Sequence, residues 1–129
     1  MHNNTLLVKE ILSQIDTAIE TIKHRFEPVT SVDYFLDTPE GQEKLDSICM
    51  LFIAIGEGLK KIDSLTNREL LAKYDTIDWR SIKGLRDIHS HHYFDVNAEA
   101  IYGVCSENID ELHEAVKKIL REWPPQANL

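Results

Sequence analysis

The stretch Ile48-Cys49-Met50-Leu51-Phe52-Ile53-Ala54-Ile55 decides how this chain folds. Eight apolar residues in a row fall far short of the roughly 20 that cross a membrane. Upstream, Thr38-Pro39-Glu40 has the make-up of a helix start: a hydroxyl to cap, a proline where no N–H is needed, then an early acid. The spacing predicts one helix over 38–63 whose centre is apolar on every side, so a single buried face cannot account for it. Either this helix is the centre of a bundle, or one side of it meets another subunit. The two readings are compatible.

Working outward, Leu7, Ile11, Ile15, Ala18, Ile19, Ile22 and Phe26 recur at three- and four-residue steps and predict a one-sided helix of about twenty residues. Glu27-Pro28 should end it, and residues 31–36 could make one further turn. Thr66-Asn67-Arg68-Glu69 has the spacing of a capping box and is expected to open a short element over 68–74. A helix is expected from Asp78, burying Trp79, Ile82, Leu85 and Ile88. Asn97 should cap a short helix through Val104, and Asn108 with Glu111 a last one that carries Ile109, Leu112, Val116, Ile119, Leu120 and Trp123 up to Pro124-Pro125. No useful strand-like alternation appears. The expected architecture is all-α, an antiparallel bundle of four to five helices in a single domain over 1–129.

Composition narrows the function classes. With a net charge of −8 and only 14 Lys and Arg, a broad basic surface wrapped around a nucleic-acid duplex is excluded. A local positive cleft is not: Lys73, Arg80, Lys83 and Arg86 fall between residues 73 and 93 together with His89, His91 and His92. Cys49 and Cys105 lie in apolar stretches without CxxC spacing and are expected as buried free thiols. No basic-then-apolar leader opens the chain, so a soluble, cytoplasmic protein is expected, without membrane contact.

The chemistry concentrates in Arg86-Asp87-Ile88-His89-Ser90-His91-His92-Tyr93. Arg86 offers a permanently charged fork suited to phosphate, and His91 can give or take a proton near neutral pH. Together they are the minimum for cutting RNA without a metal: one moves the proton of the 2′-hydroxyl, the other steadies charge gathering on phosphorus. Five residues apart, they stand about 140° around an ideal helix, whereas Arg86 and Tyr93 share a face. To meet one phosphate, the helix must loosen near Ser90-His91, or a second copy must supply part of the site, as a two-fold homodimer would.

This octapeptide fits the RX4HXY pattern and resembles the HepT-like toxins of the HEPN family. Ile55-Gly56-Glu57, Asp78-Trp79 and Gly84-Leu85 match in order, so the resemblance covers nearly the whole chain. It implies a HEPN-like bundle acting as a dimeric, metal-independent endoribonuclease on RNA, tRNA or mRNA, with Arg86 and His91 in a composite cleft. It also implies a minimal nucleotidyltransferase antitoxin as partner, which moves AMP onto Tyr93. An adenylyl group on Arg86's own face would block the cleft and pair with the arginine. Asp87 stands where Asn is common in the family, and either orients Arg86 or dulls its charge.

Each feature has a plainer reading. Arg86 and Asp87 could be a surface ion pair, and Tyr93 a buried bundle residue. His89 and His92 are expected to support the site from beside it. Three imidazoles could hold Zn²⁺, but no Cys pair or HExxH motif accompanies them, so neither metal nor cofactor is expected. Glu57 could be a hydrogen-bond acceptor at the bundle's end or a cleft residue. Gly56 and Gly58 should permit close helix approach. The alternative function is a non-catalytic helical subunit that binds a nucleotide or a nucleotidyltransferase partner.

Overall fold

The structure is a computed structural model that describes residues 2–85 and 98–125, and within these all regular structure is helical. Helix α1 spans His2–Phe26, α2 Val32–Asp37, α3 Pro39–Leu65, α4 Trp79–Gly84, α5 Ala98–Gly103 and α6 Ile109–Glu122. The all-α class read from the patterning is therefore present. No helix among the described residues is long and apolar enough to cross a membrane.

Helix α1 buries Val8, Leu12, Ile15, Ile19 and Ile22, while Leu7 and Ile11 sit half-buried at the margin of that face. It packs against α3 on one side and α6 on the other. The close approach to α3 uses Gly58, where an added Cβ would stand 3.1 Å from the Ile15 side chain. Phe26 at the end of α1 lies between Phe35 and Tyr102, with ring centroids 6.2 and 5.3 Å away, and so joins α1 to α2 and α5.

Helix α3 starts as expected, the Thr38 hydroxyl accepting from the Gly41 amide at 2.9 Å. Its inner side buries Leu45, Ile48, Cys49, Phe52, Ile55, Leu59 and Ile62 against α1, α2, α4 and α5. At about 1.5–3 kcal/mol for each large apolar side chain, this face outweighs any capping contribution. The other side is not covered by the described residues: Met50 is 64% exposed, Ala54 and Glu57 are exposed and Ile53 is half-buried. Among the described residues, the apolar stretch over 48–55 thus serves the core on one side only.

Two local expectations fail. Thr66-Asn67-Arg68-Glu69 closes α3 instead of opening a new helix. The Thr66 amide and hydroxyl both donate to the Ile62 carbonyl, at 2.9 and 2.8 Å, and the Arg68 amide reaches back to Asp63 at 2.8 Å. Asn67 and Arg68 take left-handed backbone, φ 55° and 63°, which satisfies the last carbonyls of α3. The expected element over 68–74 shrinks to a 3₁₀ turn, Leu71–Lys73.

The second failure is the break at Asn108. Residues 98–122 form one continuous helix in which Val104–Asn108 is a wider π-type segment, and Asn108 makes no side-chain cap. An N-cap contributes about 1 kcal/mol. The stripe Ile101, Cys105, Ile109, Leu112, all buried across the join, is worth several times that and keeps the helix intact.

Candidate functional site

Arg86, Asp87, His89, His91 and Tyr93 lie outside the described residues, as do Ile88 and Asn97. The structure shows the elements on either side: α4, which leads through Leu85 to Arg86, and α5, which begins at Ala98.

Helix α4 is short and held by four anchors. The Asp78 carboxylate accepts from the Ser81 amide at 3.2 Å and from its hydroxyl at 2.7 Å. These two bonds, with a smaller contribution from the Arg80 charge, hold the Asp78 carboxyl below its ordinary pKa. The Trp79 indole N–H donates to the Tyr74 carbonyl at 2.9 Å while its ring is buried. Ile82 joins the core, and Lys83 forms an ion pair with Asp63, itself largely shielded on α3. Six residues would not hold a helix alone, so α4 keeps its place through these contacts with α3 and the preceding loop.

Between α3 and α4 lies a recess of about 540 Å³ lined by Lys60, Asp63, Ser64, Arg68, Arg80, Lys83 and Gly84. Four cations face one carboxylate there, on a chain of net charge −8. Arg80 and Lys83 belong to the basic run read from the sequence. Lys60 and Arg68 do not, and only the turn at Asn67-Arg68 brings them alongside. A second recess, about 250 Å³ between the start of α1 and the loop after α3, shows no such convergence of charge.

The described residues hold another polar cluster that sequence reasoning missed. His113 on α6, only 4% exposed, lies 2.9 Å from the Asp16 carboxylate through Nε2 and 3.1 Å from Lys23 Nζ through Nδ1. Glu20 approaches to 3.9 Å, and Lys23 also pairs with Asp110 at 3.0 Å. Asp16, Glu20 and His113 offer ligand atoms within 4.8 Å of one another. The hydrogen bonding nevertheless assigns Nε2 a proton. An ammonium can only donate, so Nδ1 accepts from Lys23 and Nε2–H donates to Asp16. The cluster therefore reads as a tie between α1 and α6. Its sequence signal was Asp16, Glu20 and Lys23 at four- and three-residue steps beside the apolar face of α1.

Glu57 stands exposed on the outer side of α3. Cys49 and Cys105 are free and buried, as expected, and burial pushes both thiols up to about 12, with smaller contributions from Asp46 and from Cys49 respectively.

Comparison with known proteins adds the following. The profile of the family described as "Ribonuclease HepT-like" matches residues 15–119. A candidate RNase of Caldanaerobacter subterraneus subsp. tengcongensis is 35% identical over 68 residues, covering 53% of this chain and 57% of that protein. A Methanocaldococcus jannaschii protein, named as a gamma-glutamylcyclotransferase and candidate RNase, is 28% identical over 121 residues, covering 94% of this chain and 51% of its own length. A second candidate RNase of the same organism is 32% identical over 69 residues, covering 50% and 54%. The chain spans about half the length of the curated relatives it matches. No solved structure gives a significant match.

Proposed function

The chain belongs to the HepT-like ribonuclease family, and from that premise we propose that it is a metal-independent endoribonuclease toxin whose Arg86 and His91 meet in a cleft shared by two copies of the chain. One observation carries this reading: the family match over 15–119 contains the whole motif at 86–93. The basic recess that α4 forms just before Arg86 supports an anionic polymer as substrate.

The chemistry follows from the two side chains. His91 takes the proton of a ribose 2′-hydroxyl while that oxygen bonds to the adjacent phosphorus. The bond from phosphorus to the 5′ oxygen then breaks, and this oxygen departs with the proton that His91 hands on, leaving a cyclic phosphate and a 5′-hydroxyl end. Arg86 binds the non-bridging oxygens as charge accumulates on them. Asp87 and His89 orient the pair. A minimal nucleotidyltransferase antitoxin silences the site by transferring AMP from ATP to the Tyr93 hydroxyl, with release of pyrophosphate, which places an anion beside Arg86.

The test is cleavage of tRNA and mRNA by the purified chain with EDTA present. Activity should persist in EDTA and fall by at least about a hundredfold in Arg86→Ala or His91→Ala at unchanged helicity. A requirement for Mg²⁺, or full activity in His91→Ala, would count against the reading. Intact RNA at high protein concentration, with tight binding of nucleotide or of the transferase, would favour the non-catalytic subunit. The silencing step is read by mass spectrometry of the Tyr93 peptide after incubation with the transferase and ATP, and an unmodified peptide removes it.

A further inference from the structure

We infer that the recess between α3 and α4 is a backbone-phosphate subsite, in which Lys60, Arg68 and Arg80 hold RNA beside the motif; this rests on the ribonuclease reading above. Lys83 is already committed to Asp63. Lys60, Arg68 and Arg80 have no ion-pair partner among the described residues, although Arg80 senses the nearby Asp78 carboxylate. Three unpaired cations line one recess in a protein with eight more negative than positive charges. Their mutual repulsion gives the empty recess no stability of its own.

Helix electrostatics does not account for them. The C-terminus of α3 presents about half a negative charge, and its last carbonyls are already satisfied by Thr66 and the Arg68 amide. Arg80 stands in the first turn of α4, where a helix dipole disfavours a cation. Arg68 also takes a left-handed backbone that costs an arginine and would suit glycine. Strain of this kind persists where a side chain is needed at that place. Gly84 meets nothing within 4 Å of an added Cβ, so packing does not require glycine there, and the wall of the recess beside it is open for a phosphate to approach.

A phosphodiester backbone is the ligand that fits: repeated single negative charges, matched by separated cations rather than by one enclosed pocket. Gly84 is two residues from Arg86 in the chain. A strand seated here would present a neighbouring phosphodiester to the motif, and binding in the recess would contribute affinity rather than chemistry.

The test uses the full chain carrying His91→Ala, so that RNA survives the measurement. Binding of a short single-stranded RNA of mixed sequence is followed against salt concentration, with and without Lys60→Gln, Arg68→Gln and Arg80→Gln together. The triple substitution should weaken binding on the order of tenfold and flatten the log–log salt slope by about 2, at ~0.7 per phosphate contact on a single strand. A charge-matched control, Lys9→Gln, Lys117→Gln and Arg121→Gln on α1 and α6, should leave both unchanged. Arg68→Gly separates function from folding: it should keep or raise the urea midpoint yet weaken RNA binding. Unchanged affinity and slope in the triple variant, equal losses in the control, or no RNA binding by the parent would each overturn the proposal. Absent cleavage by the chain with His91 intact, with the binding difference retained, would instead remove the ribonuclease reading and leave the subsite standing.

Discussion

At the scale of single residues, burial sets the chemistry of two groups that the sequence could only name. Cys49 and Cys105 are 4% exposed each, and their thiols titrate at about 12 instead of 9.0. Near neutral pH neither should react with a thiol reagent on the timescale in which the urea-unfolded chain reacts completely, since only the thiolate attacks. Rapid labelling of the native protein would refute the burial. The same shift carries a sign for stability. A folded-state pKa above the unfolded one means that the unfolded chain releases its protons first as pH rises. Stability from these thiols is complete below about pH 9 and is lost progressively toward 12, so the urea midpoint should fall across that window. Tyr74, raised from 10.0 to about 12 by desolvation and by its hydrogen bond to Glu122, acts in the same direction. His113 was illegible for another reason: its partners Asp16 and Lys23 are on a helix some ninety positions away.

At the scale of elements, propensity and packing disagree at Gly41. Helix propensity alone makes Gly→Ala in a helix worth up to about 1 kcal/mol of added stability. Here the added Cβ would stand 1.7 Å from the Tyr34 carbonyl oxygen of α2. Helices α2 and α3 would have to separate, so Gly41→Ala should destabilise by about 1–3 kcal/mol, read as a lower urea midpoint at unchanged slope. A rise in stability would show that α2 does not seat on α3 this closely. The capping signals divide in the same way. Thr38-Pro39-Glu40 and Asp78 acted as read because the chain enters a buried helix just after each. Thr66 and Asn108 carried equally good local signals and did otherwise. At Thr66 the chain had to turn from α3 toward α4, and at Asn108 an unbroken buried stripe held the helix together.

At the scale of the whole molecule, the uncovered side of α3 bears on assembly. Met50, Ile53 and Ala54 form an apolar strip that no other element of the described chain covers. The proposed cleft needs a second copy, and this strip offers a surface on which the two could pair. Sedimentation of the wild-type chain should give a dimer. Met50→Glu with Ala54→Glu should yield a folded monomer with RNA cleavage reduced at least about tenfold, since buried unpaired charges cost several kcal/mol. A dimer indifferent to both substitutions would move the interface elsewhere, and a wild-type monomer active on RNA would remove the composite cleft.

By itself the sequence determined the helical class, the part of the α1 face that Ile15, Ile19 and Ile22 bury (Val8 and Leu12, not Leu7 and Ile11, complete it), the start of α3 and of α4, and the motif at 86–93. These are properties of spacing and of neighbouring side chains, and they need no knowledge of distant partners. Only the tertiary structure decided which side of the apolar stretch at 48–55 is covered, that Lys60 and Arg68 join Arg80 around one recess, and that His113 ties two helices. Each depends on where a turn sends the chain, and the turn at Asn67-Arg68 is set by what α3 and α4 bury together, a sum larger than any local preference for helix or cap.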